Sequence, residues 1–238
     1  MASERAPAAD HRYEIKYILD PVQALDFESW ALGQPFMSRA YPSRQVNSIY
    51  FDTRGLETAE DNLRGIANRK KFRIRWYGNA DNPDAAPVTF EIKIKTGRLG
   101  RKLSCPLEFL PHQFLDMNER DRQETFRQIP AMAALIPPGA NLIPTLYVSY
   151  HRHYLKGPQG IRLTLDKEIA FADMVRGAVK ADPFPGIRTA YTKAIAEFKF
   201  PPAVKDEAAE YMSGLPLYPT RSSKYVIGLS LFGHVVYL

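Results

Sequence analysis

KKFRIRWYG (70–78) and VTFEIKIKTG (88–97), separated by the turn-rich NADNPDAAP (79–87), decide the fold class. Both runs are rich in aromatic and β-branched residues and end at turn residues, which predicts a β-hairpin. Side chains two apart on a strand share a face. Arg73 and Arg75 therefore oppose Phe72, Ile74 and Trp76, and Glu91, Lys93 and Lys95 oppose Phe90, Ile92 and Ile94. A single strand of this kind reads as ordinary half-buried sheet.

The pattern recurs along the chain. In RYEIKYIL (12–19) Glu14 and Lys16 share a face, and in AEFKF (196–200) Glu197 and Lys199 do. In GIRLTLD (160–166) Arg162, Thr164 and Asp166 oppose Ile161, Leu163 and Leu165, and in SYHRHYL (149–155) Arg152 stands between Tyr150 and Tyr154. Further strands are expected at 47–53 and 101–110. Helices are expected at 21–32, 112–136, 206–215 and 222–233, with a short helix or turn at 55–65. Ser222 or Ser223 is the expected cap of the last helix. About eight β-segments suggest a closed antiparallel barrel or a pair of facing sheets.

The 238 residues carry a formal charge of +6, with 45% hydrophobic residues, as expected of one globular domain. A loose, flexible tail is expected over residues 1–11 and a single domain over 12–238. The lone Cys105 excludes a disulfide framework and any multi-cysteine metal site. The opening residues lack an apolar run, and the terminal YVIGLSLFGHVVYL is shorter than a spanning helix needs. A cytoplasmic protein without membrane insertion is expected.

The basic excess implies an anionic partner. Lys16, Arg73, Arg75, Lys93, Lys95, Lys102, Arg152, Arg162, Lys199, Arg221 and Lys224 are eleven cations against Glu14, Glu91, Asp166 and Glu197. This set alone accounts for the basic excess of the chain. Curling the strands with this face inward makes a basic tunnel, and the helices then cover the apolar outer face. So many cations need a polyanion to offset their repulsion. A nucleoside triphosphate or linear polyphosphate fits, and the carboxylates suit a hard divalent cation bridging phosphate oxygens.

Across residues 12–232 the order of RYEIKY, NSIYFDT, FRIRWYG, FEIKIKTG with GRKLS, VSYHRHYL, IRLTLD, AEFKF and SSKYVIGL resembles the triphosphate tunnel metalloenzyme, or CYTH-like, superfamily. It most resembles the VTC branch, the polyphosphate polymerase domain. The resemblance implies an α+β fold: a closed, eight-stranded antiparallel barrel with helices outside. It implies a catalytic set of Lys16, Arg73, Arg75, Lys93 and Lys199. It implies phosphate binding by Lys102, Arg152, Arg162, Arg221, Lys224 and Ser223, and a divalent metal, Mn²⁺ or Mg²⁺, on Glu197. Arg12 stands where the superfamily's opening ExExK motif has its first glutamate, which lowers the metal-ligand count and disfavours the hydrolytic branch. The domains that accompany this one in eukaryotic polymerase subunits are not in the sequence, so a stand-alone, prokaryote-type domain is expected.

The implied activity is transfer of the ATP γ-phosphate to a growing polyphosphate chain. A metal-dependent triphosphatase and a non-catalytic polyphosphate-binding module use the same cations and stay open. Nucleic acid is not expected as a partner: no recognition module is present, and the aromatics are read as facing away from the cations. His151 and His153 face away from Arg152 and read as packing under a helix or exposed. Asp52 reads as a strand-end or turn residue, Cys105 as a buried, inert thiol, and Gly97 and Gly100 as a hairpin turn.

Overall fold

The computed structural model describes residues 11–78, 88–129, 133–175, 189–215 and 217–237. The expected tail, apart from His11, and the expected 79–87 turn lie outside the described residues. The strands are β1 (Tyr13–Leu19), β2 (Ser38–Asp52), β3 (Asn68–Tyr77), β4 (Thr89–Thr96), β5 (Leu99–Pro106), β6 (Ile143–Lys156), β7 (Arg162–Asp173), β8 (Thr189–Tyr191) and β9 (Ala194–Phe200). The helices are α1 (Pro21–Gly33), α2 (Glu57–Leu63), α3 (Pro111–Asp116), α4 (Glu119–Arg127), α5 (Lys205–Ser213) and α6 (Lys224–Leu231).

All nine strands form one antiparallel sheet in the order β1-β9-β7-β6-β2-β3-β4-β5, with β8 pairing β7 off this path. The register confirms the shared faces: Arg73 sits opposite Glu91, Arg152 opposite Asp166, and Lys16 opposite Glu197. The sheet curls, but it does not close. The edge strands β1 and β5 meet at the isolated bridge between Arg12 and Gly100, whose two backbone hydrogen bonds are both 3.1 Å.

The expectation of a closed eight-stranded barrel is therefore wrong. The reason lies in the free edge of β1. Thr220 N donates to Lys16 O at 2.7 Å, and Ile18 N donates to Thr220 Oγ1 at 3.0 Å. A segment after α5 thus satisfies edge groups that closure would have given to β5, and an edge satisfied in this way has no need of a ladder.

Two apolar clusters cover the convex face. One packs α3 and α4 through Phe114 and Phe126 onto Phe72, Ile74, Phe90 and Ile92. The other packs α1 and α5 through Phe27, Ala31 and Ala208 onto Leu163, Ala196 and Phe198. Burial of this kind is the main favourable contribution to folding. The third cluster is on the concave side. There Tyr225, Ile227 and Leu229 of α6 meet Val46, Leu146, Val148, Phe171 and Ile195. The last helix was expected outside and is instead a plug inside the curl. Its glycine permits this: a Cβ on Gly228 would lie 2.5 Å from Leu146 Cδ2 and 2.6 Å from Phe171 Cδ1.

The expected helix at 112–136 is divided at Met117–Asn118. Met117 leaves helical geometry, and the side chain of Asn118 caps α4 by accepting from Asp121 N at 2.9 Å. Residues 130–132 of that stretch lie outside the described residues.

Candidate functional site

The concave face that α6 leaves uncovered encloses a cavity of about 600 Å³, part of it open to solvent. It receives Lys16 from β1, Arg73 and Arg75 from β3, and Lys93 from β4. It also receives Arg152 from β6, Glu197 and Lys199 from β9, and Ser223 and Lys224 from the start of α6. Nine of the twelve expected site residues thus converge, drawn from six elements that are remote in sequence.

Each strand places its residue by alternation, and carboxylates fix the cation heads. Glu91, deeply buried, accepts from Arg73 Nε at 2.7 Å and from Lys102 Nζ at 2.7 Å, with Arg75 Nη1 at 3.8 Å. Asp166 accepts from Arg152 through both oxygens, Nε to Oδ1 at 2.6 Å and Nη2 to Oδ2 at 2.7 Å, and from Lys224 Nζ. Such bidentate contacts hold a guanidinium in one orientation. Burial pushes the Glu91 and Asp166 carboxyls up, but the surrounding cations outweigh it and hold both well below the ordinary carboxylate range.

Lys93 Nζ donates to Glu14 Oε2 at 2.6 Å. Lys199 Nζ lies 2.8 Å from Glu197 Oε2, and Lys16 Nζ lies 3.7 Å from Glu197 Oε1. Burial pushes the Glu197 carboxyl up, and Lys199, Lys16, Lys93 and Arg152 together bring it well below its ordinary value. Burial dominates at Lys199 and lowers its ammonium to about 8, with Glu197 opposing.

Three expected residues lie elsewhere. Arg162, exposed at the start of β7, does not line the cavity. Lys102 is half exposed and reaches the site through Glu91. Arg221 lines an adjoining cavity and donates to the carbonyls of Asn62 and Leu63 at the end of α2.

Three lining residues escaped the sequence reading. Lys71 follows from the same alternation as Arg73 and Arg75, carried one step toward the start of β3. Its Nζ donates to Ser223 Oγ at 2.6 Å, and burial together with Lys16 and Lys93 presses its ammonium well below the ordinary value. Tyr50 accepts from Arg73 Nη1 at 3.2 Å, and Tyr150 accepts from Arg75 Nη2 at 3.0 Å. These two aromatics share the cations' face, contrary to the expectation that the aromatics oppose it. The spacing of Tyr150 two before Arg152 carried that signal.

Glu197 Oε1 is buried and has no hydrogen-bond partner among the described residues. No group of three His, Cys, Asp or Glu that could hold a metal ion occurs among the described residues. The donor set therefore fits a hard cation held by one carboxylate and by phosphate oxygens, as Mg²⁺ sites commonly are. It does not make an all-protein cage.

The other constellations are structural. Asp52 accepts from Thr58 N at 3.0 Å, Ala59 N at 3.0 Å and Tyr225 Oη at 2.7 Å, tying α2 to the last helix. His153 lies on the convex face with Nδ1 3.3 Å from Glu28 Oε1 of α1. Cys105 is half-buried at the edge of the outer cluster rather than fully buried. A hollow of about 390 Å³ between α1 and β6 is mostly apolar, lined by residues such as Phe27, Tyr41 and Leu155, and does not suit a polyanion.

Residues 11–232 match the VTC domain family. No curated protein matches the sequence. Among solved structures, HpAC1 from Hippeastrum, an adenylyl cyclase candidate described with a dominant triphosphatase activity, is 14% identical with a TM-score of 0.53. The alignment covers 92% of this chain and 95% of that one, and it shows a shared fold. The PH1819 protein from Pyrococcus horikoshii OT3 is 13% identical with a TM-score of 0.48, covering 92% of this chain and 99% of its own.

Proposed function

The chain belongs to the VTC domain family, and on that premise we propose that it transfers the γ-phosphate of ATP to a growing polyphosphate chain. One observation carries this reading. Eight Lys and Arg side chains line the cavity with one carboxylate, Glu197, whose Oε1 accepts no hydrogen bond among the described residues and has Lys16 Nζ 3.7 Å away as an ion-pair neighbour.

The residues divide the work. Arg73, Arg75 and Arg152, held by Glu91 and Asp166, orient phosphate oxygens through fixed guanidinium forks. Lys16, Lys93, Lys199 and Lys224 supply charge where it spreads in the transition state. Tyr50 and Tyr150 keep the Arg73 and Arg75 heads in place. Glu197 Oε1 would hold the divalent cation, which supplies further neutralisation of the phosphate oxygens when bound. A terminal phosphate oxygen of the acceptor chain attacks the γ-phosphorus in line. The bond to the β–γ bridging oxygen breaks, and the nucleoside diphosphate leaves with the electron pair. The attacking oxygen is already anionic near pH 7, so no general base is required.

A second reading is hydrolysis, and the triphosphatase activity described for the Hippeastrum protein favours it. Against it, Glu14, Glu91, Asp166 and Glu197 are all engaged by cations, so each is a poor base for activating water. Incubation with ATP and Mn²⁺ or Mg²⁺, with products resolved on a gel, tests both. Long chains support the polymerase, free phosphate alone supports the hydrolase, and tight binding without turnover leaves a polyphosphate-binding module.

A further inference from the structure

Ser223 and Lys71 meet in the wall of the main cavity, one as the cap of α6 and the other from β3. Ser223 Oγ and Lys71 Nζ are 2.6 Å apart, within reach of a direct proton transfer. With its amide turned to satisfy its neighbours, Asn62 accepts from the same Nζ at 3.2 Å. Both of these partners are neutral, whereas Lys93, Lys199 and Lys224 each hold a carboxylate.

Burial lowers the Lys71 ammonium well below its ordinary value. Lys16 on β1, Lys93 on β4 and Arg69 on β3 lower it further, and Glu14 on β1 opposes them. An amine without its third proton keeps two N–H groups and gains a lone pair. That lone pair accepts from the Ser223 hydroxyl, and the 2.6 Å contact becomes that of a nucleophile and its base.

A second feature receives the product. Ser223 Oγ caps α6 by accepting from Val226 N at 3.5 Å, so a group carried on it sits at the positive end of the helix. Lys16 Nζ donates to the carbonyl of the preceding Ser222 at 3.1 Å, and Lys93 and Lys224 line the same cavity. A phosphate ester at this position meets cations and helix N–H groups together, the setting that stabilises phosphorylation.

We propose that Ser223 is a self-phosphorylation site: its hydroxyl takes the γ-phosphoryl group of ATP, with Lys71 as the base. The proposal rests on the ATP reading above and deepens it, because it names the acceptor of the first turnover, before any chain is bound. Ser223 Oγ attacks the γ-phosphorus, its proton passes to Lys71 Nζ, and the Oγ–P bond forms. The bond from that phosphorus to the β–γ bridging oxygen breaks, and ADP leaves with the electron pair. The products are a phosphoserine and a lysine ammonium beside it, an ion pair absent beforehand. Ser223 is then a covalent nucleophile, a role distinct from the phosphate binding expected of it.

The test is incubation of the full chain with Mn²⁺ and ATP labelled at its γ-phosphate, without added polyphosphate, followed by acid quench, intact-mass measurement and peptide mapping. The expected result is one phosphoryl group on Ser223, stable in acid and released by alkali, as a serine ester is. Ser223→Ala should abolish the label, and Ser223→Thr, which keeps both hydroxyl and cap, should restore it. Lys71→Arg keeps the charge but cannot give up its proton, so labelling should slow about a hundredfold. An acid-labile label, a label on another residue, or labelling of Lys71→Arg at the wild-type rate would overturn the proposal. Turnover of ATP by the wild type with no protein-bound label overturns it alone and leaves the ATP reading standing. Neither turnover nor label overturns both.

Discussion

At the residue scale, the cavity couples each charge to a defined partner, which makes single substitutions readable. Arg75→Ala removes a guanidinium held by Tyr150 and Glu91 at the cavity wall. It should weaken triphosphate and polyphosphate binding by about 1.5–3 kcal/mol, the range of one charge-assisted hydrogen bond, as titration would show. Glu197→Gln keeps the shape and removes the charge a hard cation needs. Metal-dependent turnover should vanish while metal-free polyphosphate binding persists; wild-type turnover in this variant would remove Glu197 as the metal ligand. Lys199 contributes to the pH dependence, beside Lys71, whose ammonium burial also lowers. The folded value of Lys199 is about 8, below its ordinary 10.5, because burial disfavours the ammonium. The free protein should therefore gain stability from this group as pH rises from about 8 to about 10.5, where the unfolded chain holds the extra proton. Phosphate favours the charged form and works in the opposite sense. Binding near pH 8 to 9 should then take up protons, measurable by calorimetry in two buffers of different ionisation enthalpy, and affinity should fall as pH rises past 8.

At the scale of elements, the last helix is the piece whose placement the site depends on. It plugs the apolar part of the concave face and presents Ser223 and Lys224 to the cavity. Ser223 caps the helix, accepting from Val226 N at 3.5 Å, and also accepts from Lys71, so the cap is part of the cavity wall. Tyr225 stacks on Tyr50 with ring centroids 4.9 Å apart, which links the helix to the Arg73 network. Gly228→Ala should force Leu146 and Phe171, both fully buried, out of position. We expect a loss of about 1–3 kcal/mol in urea unfolding, the usual cost of overpacking, together with weaker polyphosphate binding as Lys224 is displaced. Unchanged stability would mean that the helix does not seat on β6 and β7 as described.

At the scale of the whole molecule, an open, curled sheet concentrates positive charge on its inner face, and that repulsion is stored in the folded state. Polyphosphate should raise the melting temperature in a concentration-dependent way, and added salt should diminish the effect by screening. A salt-independent shift would place the ligand outside the cavity. The period-two alternation of FRIRW, FEIKIK and AEFKF was enough to assign the strands and their cation face, since alternation is a local consequence of the pleat. That signal also selected seven of the cavity's twelve lining residues, and it reached Lys71 in principle. Alternation cannot say where a strand's outward neighbour lies. Whether β1 pairs with β5 or is capped by Thr220 depends on a contact 202 residues apart in sequence, as the Ile18 to Thr220 bond shows. The apolar run of the last helix was equally silent about which side of the sheet it covers, because Val46, Leu146, Val148 and Ile195 make part of the cation face apolar. The sequence by itself thus determined the strands and the polarity of their faces. Only the tertiary structure decided that the sheet stays open, that a helix fills part of its curl, and that Arg162 and Lys102 fall outside the cavity, because those outcomes turn on long-range packing and edge hydrogen bonds rather than on local periodicity.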